Sequence, residues 1–167
     1  MTREASPGDL THLGEDGTAR MVDIGAKPAT RREATAIGRI TMNREALRAI
    51  RAGDVPKGEV LGAARIAGIM AAKRTGELIP LCHPLALDSV TIEFAFEQGA
   101  IDVSAHAAVT ASTGVEMEAM VAATAALLTI YDMAKALDRA MVIEEVRLLR
   151  KSGGRSGDWH APERVLR

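Results

Sequence analysis

Aromatic residues are almost missing from this chain: two Phe, one Tyr and one Trp in 167 residues, 2% of the total. A core must therefore be built from Ala, Val, Ile, Leu and Met, within a hydrophobic fraction of 47%. A chain this long buries roughly 70% of its surface on folding, and one domain is the natural expectation. The shortage of rings also removes the stacking platforms of single-strand nucleic-acid binders. Excess basic charge is missing too. With 21 Lys and Arg against 22 Asp and Glu the formal net charge is -1, which excludes a uniformly basic nucleic-acid surface. One cysteine excludes an internal disulfide framework and suits a reducing compartment. The opening "MTREASPGDLTH" has no apolar signal region. The uncharged run between Glu118 and Asp132 is shorter than the about 20 residues a bilayer requires. A cytoplasmic protein is expected, with no nucleic-acid or membrane partner.

What is present falls into alternating and helical stretches. Residues 1–9 read as a flexible arm and 159–167 as a polar tail, with a single domain over 10–158. "ARMVDI" (19–24) alternates and predicts a strand; "TRREATAIGRITMN" (30–43) predicts a second extended segment. Asn43 is placed to cap the helix "REALRAIRAG", with Gly53 at its end. A second helix is predicted from Glu59 to about Thr75, closed by Gly76. "DSVTIEFAFEQG" sets Val90, Ile92, Phe94 and Phe96 on one strand face, and Gln98-Gly99 turns it into "AIDVSAHAAVTA". A long helix from about Val115 to Leu137 and a strand, "AMVIEEVRLLRK", complete the pattern. Antiparallel strands with segregated helices predict an α+β fold: a ferredoxin-like sheet with helices on one face, plus an N-terminal extended segment.

Candidate chemistry sits at three places. "IPLCHPL" (79–85) puts Cys82 beside His83 between two prolines. No second cysteine and no HxxxH or HExxH pattern supports a metal site, so none is expected. Adjacent side chains on a strand oppose each other, so His83 is a poor base for Cys82. Asp132 and Lys135, three apart on the long helix, share a face. An ordinary surface ion pair and an acid–base pair are both open for them. The helix start after Gly114 is a possible anion site, with Glu116 and Glu118 also matching the helix dipole. The cationic loop "KSGGRSG" suits phosphate, although it lacks the Walker spacing.

Together, "LTHLGEDGTARMVDIGAK", "ARIAGIMAAKRTGELIPLCHPL", "TGVEMEAMVAAT", "LTIYDMAKALD" and "VRLLRKSGGRSG" resemble the molybdenum cofactor biosynthesis protein C family, the cyclic pyranopterin monophosphate synthases. The match runs in register from about Leu10 to Asp158. The resemblance implies a lyase of the phosphorus–oxygen type. Its substrate would be GTP already cyclised between ribose and purine by a radical SAM enzyme, and its products cyclic pyranopterin monophosphate and pyrophosphate. It implies a ferredoxin-like fold assembled as a homohexamer, a trimer of dimers with active sites at the dimer interface.

Carried over by motif, the resemblance makes Asp132, Lys135 and Lys57 catalytic. Leu81, Cys82 and His83, with Glu116, Met117 and Glu118, would bind the pterin side of the substrate. Lys73, Lys151 and Arg32 would contact phosphate. No cofactor is required, though Mg²⁺ could accompany the triphosphate. Two positions depart from the family pattern: Ser112 stands where a basic residue is frequent before "TGVEME", and Arg155 replaces the frequent Lys of "SGGKSG". A non-catalytic anion-binding module of the same fold is the alternative, and it would have no use for Asp132 beside Lys135. A cysteine-dependent hydrolase would need a base that the sequence does not offer.

Overall fold

A computed structural model describes residues 17–155 and 157–162. The arm assigned to 1–9, the start of the match at Leu10 and His12 lie outside the described residues.

Strand β1 (Thr30–Thr41) is followed by helices α1 (Arg44–Ala52), α2 (Val60–Ala72) and the single turn α3 (Thr75–Leu78). Then come the hairpin β2 (Ser89–Glu97) and β3 (Ala100–Ala111), helix α4 (Glu116–Ala134), β4 (Val142–Ser152) and a two-residue β5 (Trp159–His160). The sheet order is β2-β3-β1-β4-β5, and every pairing is antiparallel. Its first four strands carry the split βαβ order expected of a ferredoxin-like fold. The sheet reaches two residues into the segment assigned to the polar tail, where Trp159 pairs Lys151 and His160 pairs Arg150.

Local chemistry explains several boundaries. The Asn43 side chain accepts the Ala46 N–H at 2.8 Å, capping α1. Gly53 ends that helix in the left-handed region at φ 76°, a conformation that costs glycine little. Glu59 accepts the N–H groups of Leu61 and Gly62 and so starts α2. That helix stops at Ala72, earlier than expected. The buried Thr75 hydroxyl donates to the Ala72 carbonyl at 3.0 Å, and Gly76 lies inside the extra turn α3 instead of closing α2.

Helices α2 and α4 pack on each other and on one face of the sheet, where Ile40, Ile101, Leu127 and Ile130 are fully buried. Small residues set the spacing: Ala119, Ala122, Ala123 and Ala126 of α4 are all buried. Among the described residues α4 alone is long and apolar enough to cross a membrane by length and composition. Here its buried apolar side chains, among them Leu127 and Ile130, pack in the core with α2 and the sheet.

One expected strand is not formed. Residues 19–24 contain only an isolated bridge residue at Ala19, and a turn follows at 25–27. The Asp23 carboxylate takes the Gly25 N–H at 2.9 Å and Lys27 N–H bonds the Ile24 carbonyl at 3.0 Å, which folds the chain away from the sheet. The alternation is genuine, but its partner is a pocket wall.

Candidate active site

The connector 79–85 and the start of α4 face each other across a cleft of about 400 Å³. Leu81, Cys82 and His83 form one side, and Glu116, Met117 and Glu118 the other. Val22 and Ile24 close it from the segment that precedes β1. His83 Nε2 lies 2.8 Å from the Val22 carbonyl oxygen. A carbonyl only accepts, so that nitrogen carries the proton and Nδ1 is the other binding atom. The size falls in the usual range of small-molecule sites, roughly 300–1,000 Å³.

Glu118 is 3% exposed. Burial pushes its carboxyl up to about 7, its own backbone N–H opposes the shift, and nearby Glu116 adds to it. The Cys82 thiol is pushed up, first by burial and then by Glu118. At neutral pH it holds its proton, which removes the thiolate that a nucleophile needs.

A second cleft, of about 430 Å³, shares Lys27, Thr113, Gly114 and Glu116 with the first. Its cations are Lys27, Arg32, Lys151 and Arg155. Arg32 is aimed by a 3.0 Å bond from Nε to the Ala111 carbonyl, and Lys151 Nζ lies 3.0 Å from Glu116. Ser112 fills the position of a frequent basic residue. Its hydroxyl donates to the Lys27 carbonyl at 2.7 Å, so it fixes the segment that brings Lys27 into the cleft. Gly153, at φ 88°, lies where any Cβ would strike the Arg31 carbonyl, so the loop after β4 needs glycine there.

The third group lies at the other end of α4. Lys135 Nζ donates to Asp132 Oδ1 at 2.7 Å, and Lys57 Nζ donates to Oδ2 at 2.7 Å and to the Asp132 carbonyl at 3.0 Å. One carboxylate thus holds two ammonium groups. Hydrogen bonds from Lys135 and then Lys57 hold the Asp132 carboxyl down at about 2, and Asp132 raises Lys135 above the ordinary lysine value. Lys135 is accordingly cationic at neutral pH. All three side chains are about half exposed.

A family model of the MoaC family matches residues 21–154. The chain belongs to the MoaC family. It is similar to the cyclic pyranopterin monophosphate synthase of Novosphingobium aromaticivorans, at 63% identity over 93% of this chain and 99% of that protein. Synthases of the same name from Pelotomaculum thermopropionicum and a Roseiflexus species are each 58% identical. These cover 89% and 90% of this chain, and 88% and 97% of the relatives.

Within this MoaC-family chain the structure joins the residues singled out from sequence into two groups. Leu81, Cys82, His83, Glu116, Met117 and Glu118 share the first cleft, with Arg32, Lys151 and Glu116 in the adjoining one. Lys57, Asp132 and Lys135 form the distant cluster. Lys73 joins neither: it is exposed at the C-cap of α2. Lys27 is the contributor that motif reading passed over. It stands at the end of "ARMVDIGAK", three residues past the predicted strand 19–24, where nothing local marks it as a ligand. Among the described residues no group of three or more His, Cys, Asp or Glu converges as a metal site.

The buried Glu118 leads to a stability prediction. Its folded pKa, about 7, lies above the ordinary carboxyl value of 4.5. The folded state therefore binds more protons than the unfolded chain between those values, and stability falls as pH rises through that window. Above it the loss is complete, on the order of 3 kcal/mol. Glu118→Gln is expected to raise the melting temperature at pH 8 and leave it near wild type at pH 5. Equal melting curves for both proteins at pH 8 would count against a raised Glu118.

Proposed function

We propose that this chain is a cyclic pyranopterin monophosphate synthase, a lyase acting early in molybdenum cofactor biosynthesis. Its substrate is (8S)-3',8-cyclo-7,8-dihydroguanosine 5'-triphosphate, supplied by a radical SAM enzyme. The observation that carries the proposal is the Asp132 carboxylate shared by Lys57 and Lys135. The reaction opens the purine five-membered ring, closes a pyran and joins a sugar oxygen to the α-phosphorus as pyrophosphate leaves. It needs protons delivered and removed, with no change of oxidation state. Lys135, cationic at rest, supplies a proton, and Asp132 fixes both ammonium groups. The pterin-forming part lies against Leu81, Cys82, His83, Met117 and Glu118. Arg32, Lys151 and Arg155 hold the phosphates and stabilise the departing pyrophosphate. No resident cofactor enters; Mg²⁺ travels with the triphosphate as part of the substrate. The protein works in the cytoplasm.

The two groups cannot meet on one chain. Glu116 and Asp132 are sixteen residues apart on one helix, which corresponds to about 24 Å along its axis. We infer a composite active site, in which the clefts of one copy meet the Lys57–Asp132–Lys135 cluster of another; the dimer interface and the hexamer built as a trimer of dimers are what the family resemblance implies. The exposed apolar side chains Ile66 and Met70, one turn apart on α2, and Leu128 on α4 supply surface for such contacts.

Two assays test this. Incubation with the cyclised nucleotide should yield cyclic pyranopterin monophosphate and pyrophosphate; no turnover would refute the assignment. Separately, Lys135→Ala and Arg32→Ala/Lys151→Ala proteins should each be inactive. Unfolded together and refolded as mixed dimers, they should recover about a quarter of wild-type activity, because half of the dimers regain one intact site. No recovery from mixtures shown to contain heterodimers would place the whole site on one chain.

A further inference from the structure

Helix α1 carries charge that the proposed active site does not use. Arg44, Arg48 and Arg51 stand at i, i+4 and i+7, so they form one stripe along the helix. The buried Ala46 and Ile50 face the core from another side. All three arginines are exposed, and none forms an ion pair among the described residues. They line a groove of about 650 Å³ between α1 and the β2–β3 hairpin, completed by Leu47, Phe96, Glu97, Gln98 and Gly99. The Arg51 guanidinium lies over the Phe96 ring, 4.6 Å from its centre. That contact holds one end of the stripe in a fixed place.

We propose that this groove docks an acidic segment of a partner protein. The charge is spread from Arg44 to Arg51, about 10 Å of helix, which is longer than a single phosphate or carboxylate needs. The groove is open, and its charged groups are exposed. A small-molecule site encloses most of its ligand and aims a few polar groups into it, and neither feature is present. A single-stranded nucleic acid would seek a free ring face, but Arg51 already covers Phe96. Guanidinium groups suit carboxylates because they bind them through two parallel hydrogen bonds. Glu97 at the hairpin end repels an acidic ligand there and so sets its register along the stripe.

The position adds to the argument. At its N-terminal end α1 is tied to the chain just past α4, where the Asn43 N–H donates to Asp138 at 2.7 Å. Beyond Gly53 the chain turns directly into Lys57, which bonds Asp132. The C-terminal end of α1 therefore lies only a few residues along the chain from Lys57, and none of the cluster residues lines the groove.

The test uses the full protein and a fluorescein-labelled oligoglutamate peptide of about twelve residues, read by anisotropy. Binding should weaken at least roughly tenfold in Arg44→Gln/Arg48→Gln/Arg51→Gln, and it should weaken with added salt. The comparison variant Arg32→Gln/Lys151→Gln should bind the peptide as wild type does. Turnover of substrate added free in solution should be unchanged in the triple variant. Undiminished peptide binding in the triple variant would overturn the proposal, as would equal loss in the comparison variant. Displacement by inorganic triphosphate at lower charge concentration would make this a small-anion site instead. Tighter binding of oligouridylate to the same stripe would make it a nucleic-acid site. A changed oligomeric mass in the triple variant would assign the face to a second copy of this chain.

Discussion

Asp132→Asn is expected to lower turnover by roughly 10²–10⁴-fold, the span associated with losing an essential acid–base group. The amide has one oxygen to offer where the carboxylate uses two, each 2.7 Å from an ammonium nitrogen. It also removes the negative charge that keeps two cations side by side. Lys135 then loses what raises its pKa, so the donor becomes less firmly protonated. All three groups are about half exposed, so the fold should survive and the melting temperature should hardly move.

The sign of the pH dependence follows from the same pair. The depressed Asp132 contributes its interaction above the ordinary carboxyl range and loses it only as pH falls toward about 2. The raised Lys135 contributes below the ordinary lysine value and loses its interaction as pH climbs past its folded pKa. Between those limits the cluster keeps its charge. A change of activity near pH 7 should come from Glu118, and Glu118→Gln should flatten it in a pH–rate profile. Wild-type turnover in Asp132→Asn would remove the cluster from the chemistry.

The largest expected effect on folding is at Gly68. A Cβ built there lies 2.8 Å from the Ala122 carbonyl oxygen and collides with the Ile92 side chain. The carbonyl belongs to α4 and cannot turn aside, so α2 and α4 must separate. Gly68→Val is expected to cost about 1–3 kcal/mol or more, in the range of overpacked cores. Gly68→Ala should cost less, but it should still be destabilising, although alanine favours helix by about 1 kcal/mol. Chemical denaturation of both variants would check this, and an Ala variant more stable than wild type would contradict the close approach.

Gly68 also shows what sequence patterns can and cannot carry. Gly62 and Gly68 both weaken α2 by propensity, and a pattern of residue types alone gives no reason for either. For Gly68 the reason is α4; for Gly62 it is the capping Glu59 side chain. Features with a local cause were legible. The Asn43 cap, the Gly53 terminus and the Gln98-Gly99 hairpin each depend on neighbours within a few residues. So did the alternation of β2 and β3. Features with a distant cause were misread. Residues 19–24 alternate like a strand, yet their partner is His83, some sixty positions on. The end of α2 depends on a buried threonine hydroxyl that composition does not distinguish. At the site, Asp132 and Lys135 were visible as a helical pair. Lys57 looked ordinary, because its partner is 75 residues away. Only likeness to a family singled it out, and Lys27 was missed for want of any local mark.

Helix α4 carries a cleft residue at one tip and a cluster residue at the other, so its nineteen residues act as a ruler. In a composite site, that ruler sets how far apart two half-sites lie on each protomer. It thereby decides which relative placement of two protomers closes both sites at once. Lengthening α4 by one turn would shift the tips by about 5.4 Å and put both half-sites out of register. Shape and catalysis would then be specified by a single length, and catalytic output would track protein concentration wherever the assembly comes apart.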